Sequence, residues 1–157
     1  MRREHEMTEK ADENEFITAT IGGQLFGLPI LRVQDVFAPE RITRVPLAAA
    51  EIAGVLNLRG RIVTLIDLRR RLGLGARDEE GQAMAIGVES QGESYGLLID
   101  SVGEVLKLPK SGREPNPLNL DPKLAAVSAG IYRLDAQLLV VVDVDRALDI
   151  GSTAVAA

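Results

Sequence analysis

Apolar and polar positions alternate along most of this chain in short runs bounded by glycine or proline, the period-two pattern of half-buried strands. Strands are predicted at 16–21, 24–28, 31–37, 42–45, 55–58 and 61–66, then at 84–89, 94–99, 102–108, 127–134 and 137–142. Helical signal is brief, at 48–52, after Asp67 and after Asp143. Many short strands with closely spaced turns predict an all-β chain built as small barrels or a sandwich, with a few short helices.

The pattern occurs twice. At an offset of 76, "GVLNLRGRIVTLIDLRRRL" from Gly54 lies without a gap on "GIYRLDAQLLVVVDVDRAL" from Gly130. At an offset of 69, "FGLPILRVQDVF" lies on "YGLLIDSVGEVL", pairing Gly27 with Gly96, Val33 with Val102 and Val36 with Val105. Two lobes of similar plan follow, about 16–76 and about 77–150, with a tail at 1–15, another at 151–157 and termini free to exchange between lobes. "KSGREPNPLNLDPK" reads as a connection inside the second lobe and "GLGARDEEG" as the joint between lobes. Each lobe is too small to be robust alone, so the two are expected to share buried surface.

The repeat is also an internal control: residues that differ between copies are not demanded by the fold. The tip "NLRGR" of the first copy is "RLDAQ" in the second. Ala136 opposite Gly60 implies that any small residue suffices at that turn, and Asp135 opposite Arg59 implies that no guanidinium is needed there. Arg59 is therefore available to a partner. Asp67 and Asp143 recur and each precedes a helical pattern, which assigns them to N-caps. Arg70 recurs as Arg146, whereas Arg69 and Arg71 do not, leaving that pair open to a partner. In Phe26-Gly27 and Tyr95-Gly96 the ring is read as core and the glycine as permitting a bend or a close backbone approach. Ile30, Val33, Val36, Leu97 and Ile99 lie in equivalent strands and read either as lobe-to-lobe packing or as the lining of a groove for an amphipathic helix.

Composition narrows the chemistry. With aromatics at 3%, the core must come from Val, Ile, Leu and Ala. The absence of cysteine excludes disulfides, thiolate metal sites and cysteine catalysis. The one histidine, His5, sits in a polar tail, and no phosphate-binding, hydrolase or zinc motif is present. Asp100 and Glu104 are close in sequence, but nothing else converges on them. No catalytic residue, metal site or cofactor is expected. The tail "MRREHEMTEKADENE" has no apolar signal region, and no apolar run approaches the roughly 20 residues of a bilayer span, so a soluble cytoplasmic protein is expected. The net charge of −5 divides unevenly: −3 over 1–15, +4 over 16–76 and −6 over 77–157. Such asymmetry can steer head-to-tail association with partners of similar build. A small-barrel binder of single-stranded nucleic acid or a small ligand is the alternative, but Phe16, Phe26 and Phe37 fall in strand patterns as core residues rather than as a stacking platform.

From Phe16 to about Leu148 the chain resembles the CheW coupling proteins of bacterial chemotaxis. The resemblance rests on "GGQLFGLPILRVQDV", "ITRVP", "IAGVLNLRGRIVTLIDLRRRL", "SYGLLIDSVGEVL" and "GIYRLDAQLLVVVDVDRAL". It implies two SH3-like five-stranded β-barrels around a shared apolar junction, no catalysis and no cofactor. It further implies an adaptor that binds the regulatory domain of the histidine kinase CheA and the cytoplasmic tip of chemoreceptors, recruited to membrane-associated arrays. A relative serving a non-swimming chemosensory pathway would share these features. Carried over by position, the family's partner-binding V-Q-E stretch corresponds to Val33, Gln34 and Asp35, with aspartate replacing glutamate and shortening its reach. The glycine before the N-L-R-G motif corresponds to Gly54, and the motif to Asn57, Leu58, Arg59 and Gly60. Thr64 stands where the family usually has proline; Val140 occupies that register in the second copy, so the departure is read as harmless to the fold.

Overall fold

The structure, a computed structural model, describes residues 13–74 and 83–150; His5, most of the N-terminal tail, the joint at 75–82 and the tail at 151–157 lie outside the described residues. The strands are β1 (Glu13–Ile21), β2 (Gln24–Pro29), β3 (Val33–Phe37), β4 (Ile52–Leu58), β5 (Arg61–Asp67), β6 (Met84–Ser90), β7 (Glu93–Ile99), β8 (Ser101–Pro109), β9 (Ser128–Arg133) and β10 (Leu138–Val142). Short helices α1 (Leu68–Arg71), α2 (Pro122–Val127) and α3 (Val144–Leu148) follow β5, precede β9 and follow β10. The mostly-β architecture of two five-stranded units is thus present.

The sheets have orders β8-β1-β2-β10-β9 and β3-β6-β7-β5-β4, so each draws strands from both halves of the chain. Neither sheet is confined to 16–76 or to 77–150. The exchange is itself symmetric. β10 lies parallel to β2, pairing Leu139 with Leu25 and Val141 with Gly27. β5 lies parallel to β7, pairing Val63 with Ser94 and Leu65 with Gly96. A leucine of the neighbouring strand crosses each of these glycines: a Cβ on Gly27 would stand 2.8 Å from Leu139 Cδ2, and one on Gly96 2.8 Å from Leu65 Cδ2. At both positions the missing Cβ therefore makes room for a neighbouring side chain rather than for another backbone.

Gly54 and Gly130 carry the repeat into backbone conformation, with φ of 149° and 130°. Thr43 bridges Val55 and Glu114 bridges Ile131, and in each case the bridging carbonyl oxygen leaves no room for a Cβ, lying 2.5 Å from one built on Gly54 and 2.9 Å from one built on Gly130. Asp67 and Asp143 cap α1 and α3, accepting hydrogen bonds from Arg69 N at 3.0 Å and Arg146 N at 3.2 Å.

One large core joins the sheets. Phe26, Leu28 and Val140 of the first meet Ile66, Ile86, Leu97 and Ile99 of the second, with Leu68, Val127 and Val144 of the helices closing the cluster. Smaller clusters lie within each sheet, around Leu56, Val63 and Leu65 and around Phe16, Tyr132 and Leu139. Burying such side chains stabilises by about 1.5–3 kcal/mol each, which is why the shared surface holds the lobes together. Polar ties reinforce it. Arg69 forks onto Asp100 with both contacts at 2.9 Å, and Asp100 also accepts the Gly22 N–H, joining the turn after β1 to α1.

Several local expectations are corrected. The 42–45 stretch contributes a single bridge at Thr43 rather than a strand. Residues 48–52 form turns that lead into β4, not a helix. Ile30–Arg32 is a 3-10 turn before β3, and the 110–123 connection ends in the start of α2, which takes residues 122–127 and leaves β9 to begin at Ser128.

Candidate functional site

The hairpin β4–β5 turns through two residues, Arg59 and Gly60, at φ of 54° and 86°. Two successive positive φ values define the tight turn that matches strand twist, for which Asn-Gly is the favoured pair. Asn57 stabilises it: its Oδ1 accepts the Gly60 N–H at 2.8 Å. Leu58 roots the hairpin by packing against the Leu56–Val63 cluster. Arg59 is exposed and, among the described residues, has no hydrogen-bond or ion-pair partner. In the second copy Asp135 and Ala136 do not take positive φ, and the loop closes through Leu134 N to Gln137 O at 2.9 Å. The inference from Ala136 is therefore corrected: the two loops differ in geometry, and Gly60 is needed for its backbone.

Beside the hairpin opens a cleft of about 530 Å3 walled by Phe37, Arg41, Thr43, Val55, Leu58 and Ile62. Ile62 is 63% exposed at its rim, and Ile42 and Val45 are each about two-fifths exposed on the strand-less segment before β4. The same place in the second copy is spanned differently. Tyr132 replaces Leu56 and meets Phe16 edge-on at 5.7 Å, while Arg133 replaces Asn57 and reaches Glu114 at 3.0 Å. The side chains that flank the cleft in the first copy are thus replaced in the second by residues that engage one another.

β3 brings the second group of predicted residues to this face. Val33 packs on the main core, Ile30 lies partly buried beside it, and Val36 is exposed. Gln34 donates to Glu89 Oε2 at 2.7 Å, and Asp35 faces Arg61 at 3.9 Å. β3 is an edge strand, and its counterpart edge in the other sheet, β8, repeats the arrangement, with Val102 on the core and Val105 49% exposed. Val105 was legible in the repeat as the partner of Val36, but only the strand order shows that both stand on edges.

Other expectations are not met. Leu97 and Ile99 are wholly enclosed in the main core, so they offer nothing to a partner; packing between lobes accounts for them, and no groove passes there. Gly54 is buried under Thr43 and serves the backbone only. Arg69 is held by Asp100, which was not expected to have a charged neighbour. Arg71 donates to the carbonyls of Arg146 and Asp149 at 3.1 and 3.4 Å. Both unrepeated arginines of α1 are internal ties. The residue that sequence reasoning missed is Arg61, the contact between β5 and β3.

The CheW-like domain model matches residues 15–151. The chain is 29% identical over 134 residues to the chemotaxis protein CheW of Klebsiella aerogenes, covering 85% of this chain and 81% of that one. It is 27% identical over 137 residues to CheW of Thermotoga maritima, with coverage of 87% and 89%. A 129-residue match at 27% identity, spanning 82% of this chain, covers 18% of the chemotaxis protein CheA of Salmonella typhimurium. Among solved structures, the scaffolding protein TtCheW of Thermoanaerobacter tengcongensis superposes with a TM-score of 0.74 at 31% identity, covering 82% of this chain and 83% of that one. With two such sheets, their duplicated glycine bridges at Gly54 and Gly130 and the N-L-R-G hairpin in place, the chain belongs to the CheW-like domain family.

Proposed function

We propose that this protein is a non-enzymatic adaptor that couples chemoreceptors to the histidine kinase CheA in chemotaxis signalling. Its partners are the kinase's regulatory domain and the cytoplasmic receptor tip, and it is a cytoplasmic protein recruited to receptor arrays. Family membership, the likeness to the scaffolding protein TtCheW and the similarity to a segment of CheA support this reading. The observation that carries it is Arg59, unpartnered among the described residues and held out on a self-capped turn beside the cleft, where the second copy has Asp135 on a loop of different geometry. A guanidinium so placed suits a partner carboxylate, which its planar fork holds through two hydrogen bonds. Among the described residues no helix is long and apolar enough to cross a membrane. Phe16 and Phe26 are enclosed and Phe37 alone of the three reaches the cleft wall, so the phenylalanines form no row of faces on which bases could stack.

Arg59→Glu is expected to abolish co-sedimentation with receptor-bearing membranes or with CheA, while circular dichroism and the melting curve stay near wild type. Unchanged co-sedimentation removes Arg59 from the surface, and a collapsed melt returns it to a structural role.

A further inference from the structure

β3 and β5 are separated in their sheet by β6 and β7, yet Arg61 at the start of β5 reaches β3. Its Nη2 lies 3.9 Å from Asp35 Oδ2 and its Nη1 3.5 Å from Gln34 Oε1. Gln34 in turn donates to Glu89 at 2.7 Å. The register of β3 on β6 shifts between Val33 and Asp35, which sets Asp35 opposite Gly87. A Cβ on Gly87 would collide with Asp35 Oδ1, so the carboxylate occupies space that any larger residue would fill.

The second copy lacks this set. Gln137 stands in place of Arg61 and Gly103 in place of Gln34, so Glu104, in place of Asp35, meets no cation from that position. The fold therefore does not require it. Nor does stability: the Arg61 and Asp35 side chains are 47% and 28% exposed, and ion pairs of that exposure contribute little. What the set does accomplish is geometric. It brings the polar edge of β3 against the hairpin that presents Arg59, so that two segments some 25 residues apart adjoin in one surface. The aspartate, shorter than the glutamate of the family pattern, is matched by a glycine beneath it and an arginine beside it.

We propose that Arg61 is a positioning residue of the partner surface, holding Asp35 in the space over Gly87 so that the β3 edge and the Arg59 turn meet the partner together. This rests on the adaptor reading. The pair Arg61 and Asp35 acts as a unit, so its members' contributions to partner binding are coupled rather than additive.

The test is a double-mutant cycle on the full chain, with affinities for purified CheA and for a soluble chemoreceptor cytoplasmic fragment. Arg61→Leu and Asp35→Asn are each expected to weaken at least one partner about fivefold, the double variant losing no more than the weaker single. Melting curves should move by only about a degree or two. Arg61→Lys should recover most of the affinity. Gly87→Ala, which displaces the carboxylate sterically, should cost as much as Arg61→Leu, and the two combined should cost no more. Unchanged affinity in Arg61→Leu, additive losses, or affinity that falls only in step with melting overturns the proposal. Failure of the wild-type chain to bind either probe removes the adaptor reading, and this inference with it.

Discussion

A positive φ on an arginine has to be held in place by its surroundings, because a Cβ in the left-handed region crowds the following carbonyl at a cost on the order of 1 kcal/mol. Arg59 sits there at 54°, with Asn57 and Gly60 supplying the restraint. Asparagine tolerates this first turn position better than arginine. Arg59→Asn is therefore expected to raise unfolding stability by about 0.5–1 kcal/mol while weakening partner binding. Urea titration beside co-sedimentation checks both halves; lower stability, or binding left intact, contradicts the trade. The sequence exposed Arg59 because the two copies differ at that position, and difference is readable without coordinates. It misjudged Gly60 because aligned residues were assumed to share a loop geometry. Arg61 was invisible because Gln34 and Asp35 are 27 and 26 residues away, beyond any local pattern.

At the level of elements, α2 and the segment around Pro46 show how one repeat unit takes two forms. In the second copy Asp121 caps the helix by accepting from Lys123 N at 2.8 Å, Pro122 opens it, and Leu124 anchors it in the core. In the first copy Val45, Pro46 and Ala48 occupy those places. Val45 has no oxygen to cap with and Ala48 reaches less far, while Leu47 points into solvent at φ 65°. Three consecutive alanines made 48–52 look helical, but propensity alone does not nucleate one turn. The same weighting overlooked the Asp-Pro start of α2, although the cap and the proline at the first helical position were both written in the sequence. Asp121→Ala is expected to cost about 1 kcal/mol in urea unfolding, and Asp121→Asn only a few tenths. Equal behaviour of the two variants would assign the helix to its Leu124 anchor instead.

The molecule as a whole joins strands that local patterning could not match. The repeat predicted two similar units, but β2 pairs with β10 across more than 110 residues, and a parallel pairing at that separation leaves no turn signal. What the exchange requires is that the two sheets stay registered, and charged ties contribute to that. Arg32, before β3, forks onto Asp145 of α3 at 2.9 and 3.2 Å, and Ser90 of β6 donates to the same carboxylate at 3.1 Å. These hydrogen bonds, from Arg32 first and Ser90 second, hold the Asp145 carboxyl below its usual range. A carboxylate depressed on folding adds stability above the unfolded pKa of about 3.9, and that contribution is lost as pH falls through the lower folded value. Asp145 is 64% exposed, so solvent screening keeps the contribution below about 1 kcal/mol. Asp145→Asn is accordingly expected to lower the urea midpoint at neutral pH and to converge on wild type in acid, below the ordinary carboxylate range. Midpoints measured across that range check it: curves that run parallel down to the lowest pH would show that this tie does not sense protonation and that the registration of the sheets does not draw on the Asp145 charge.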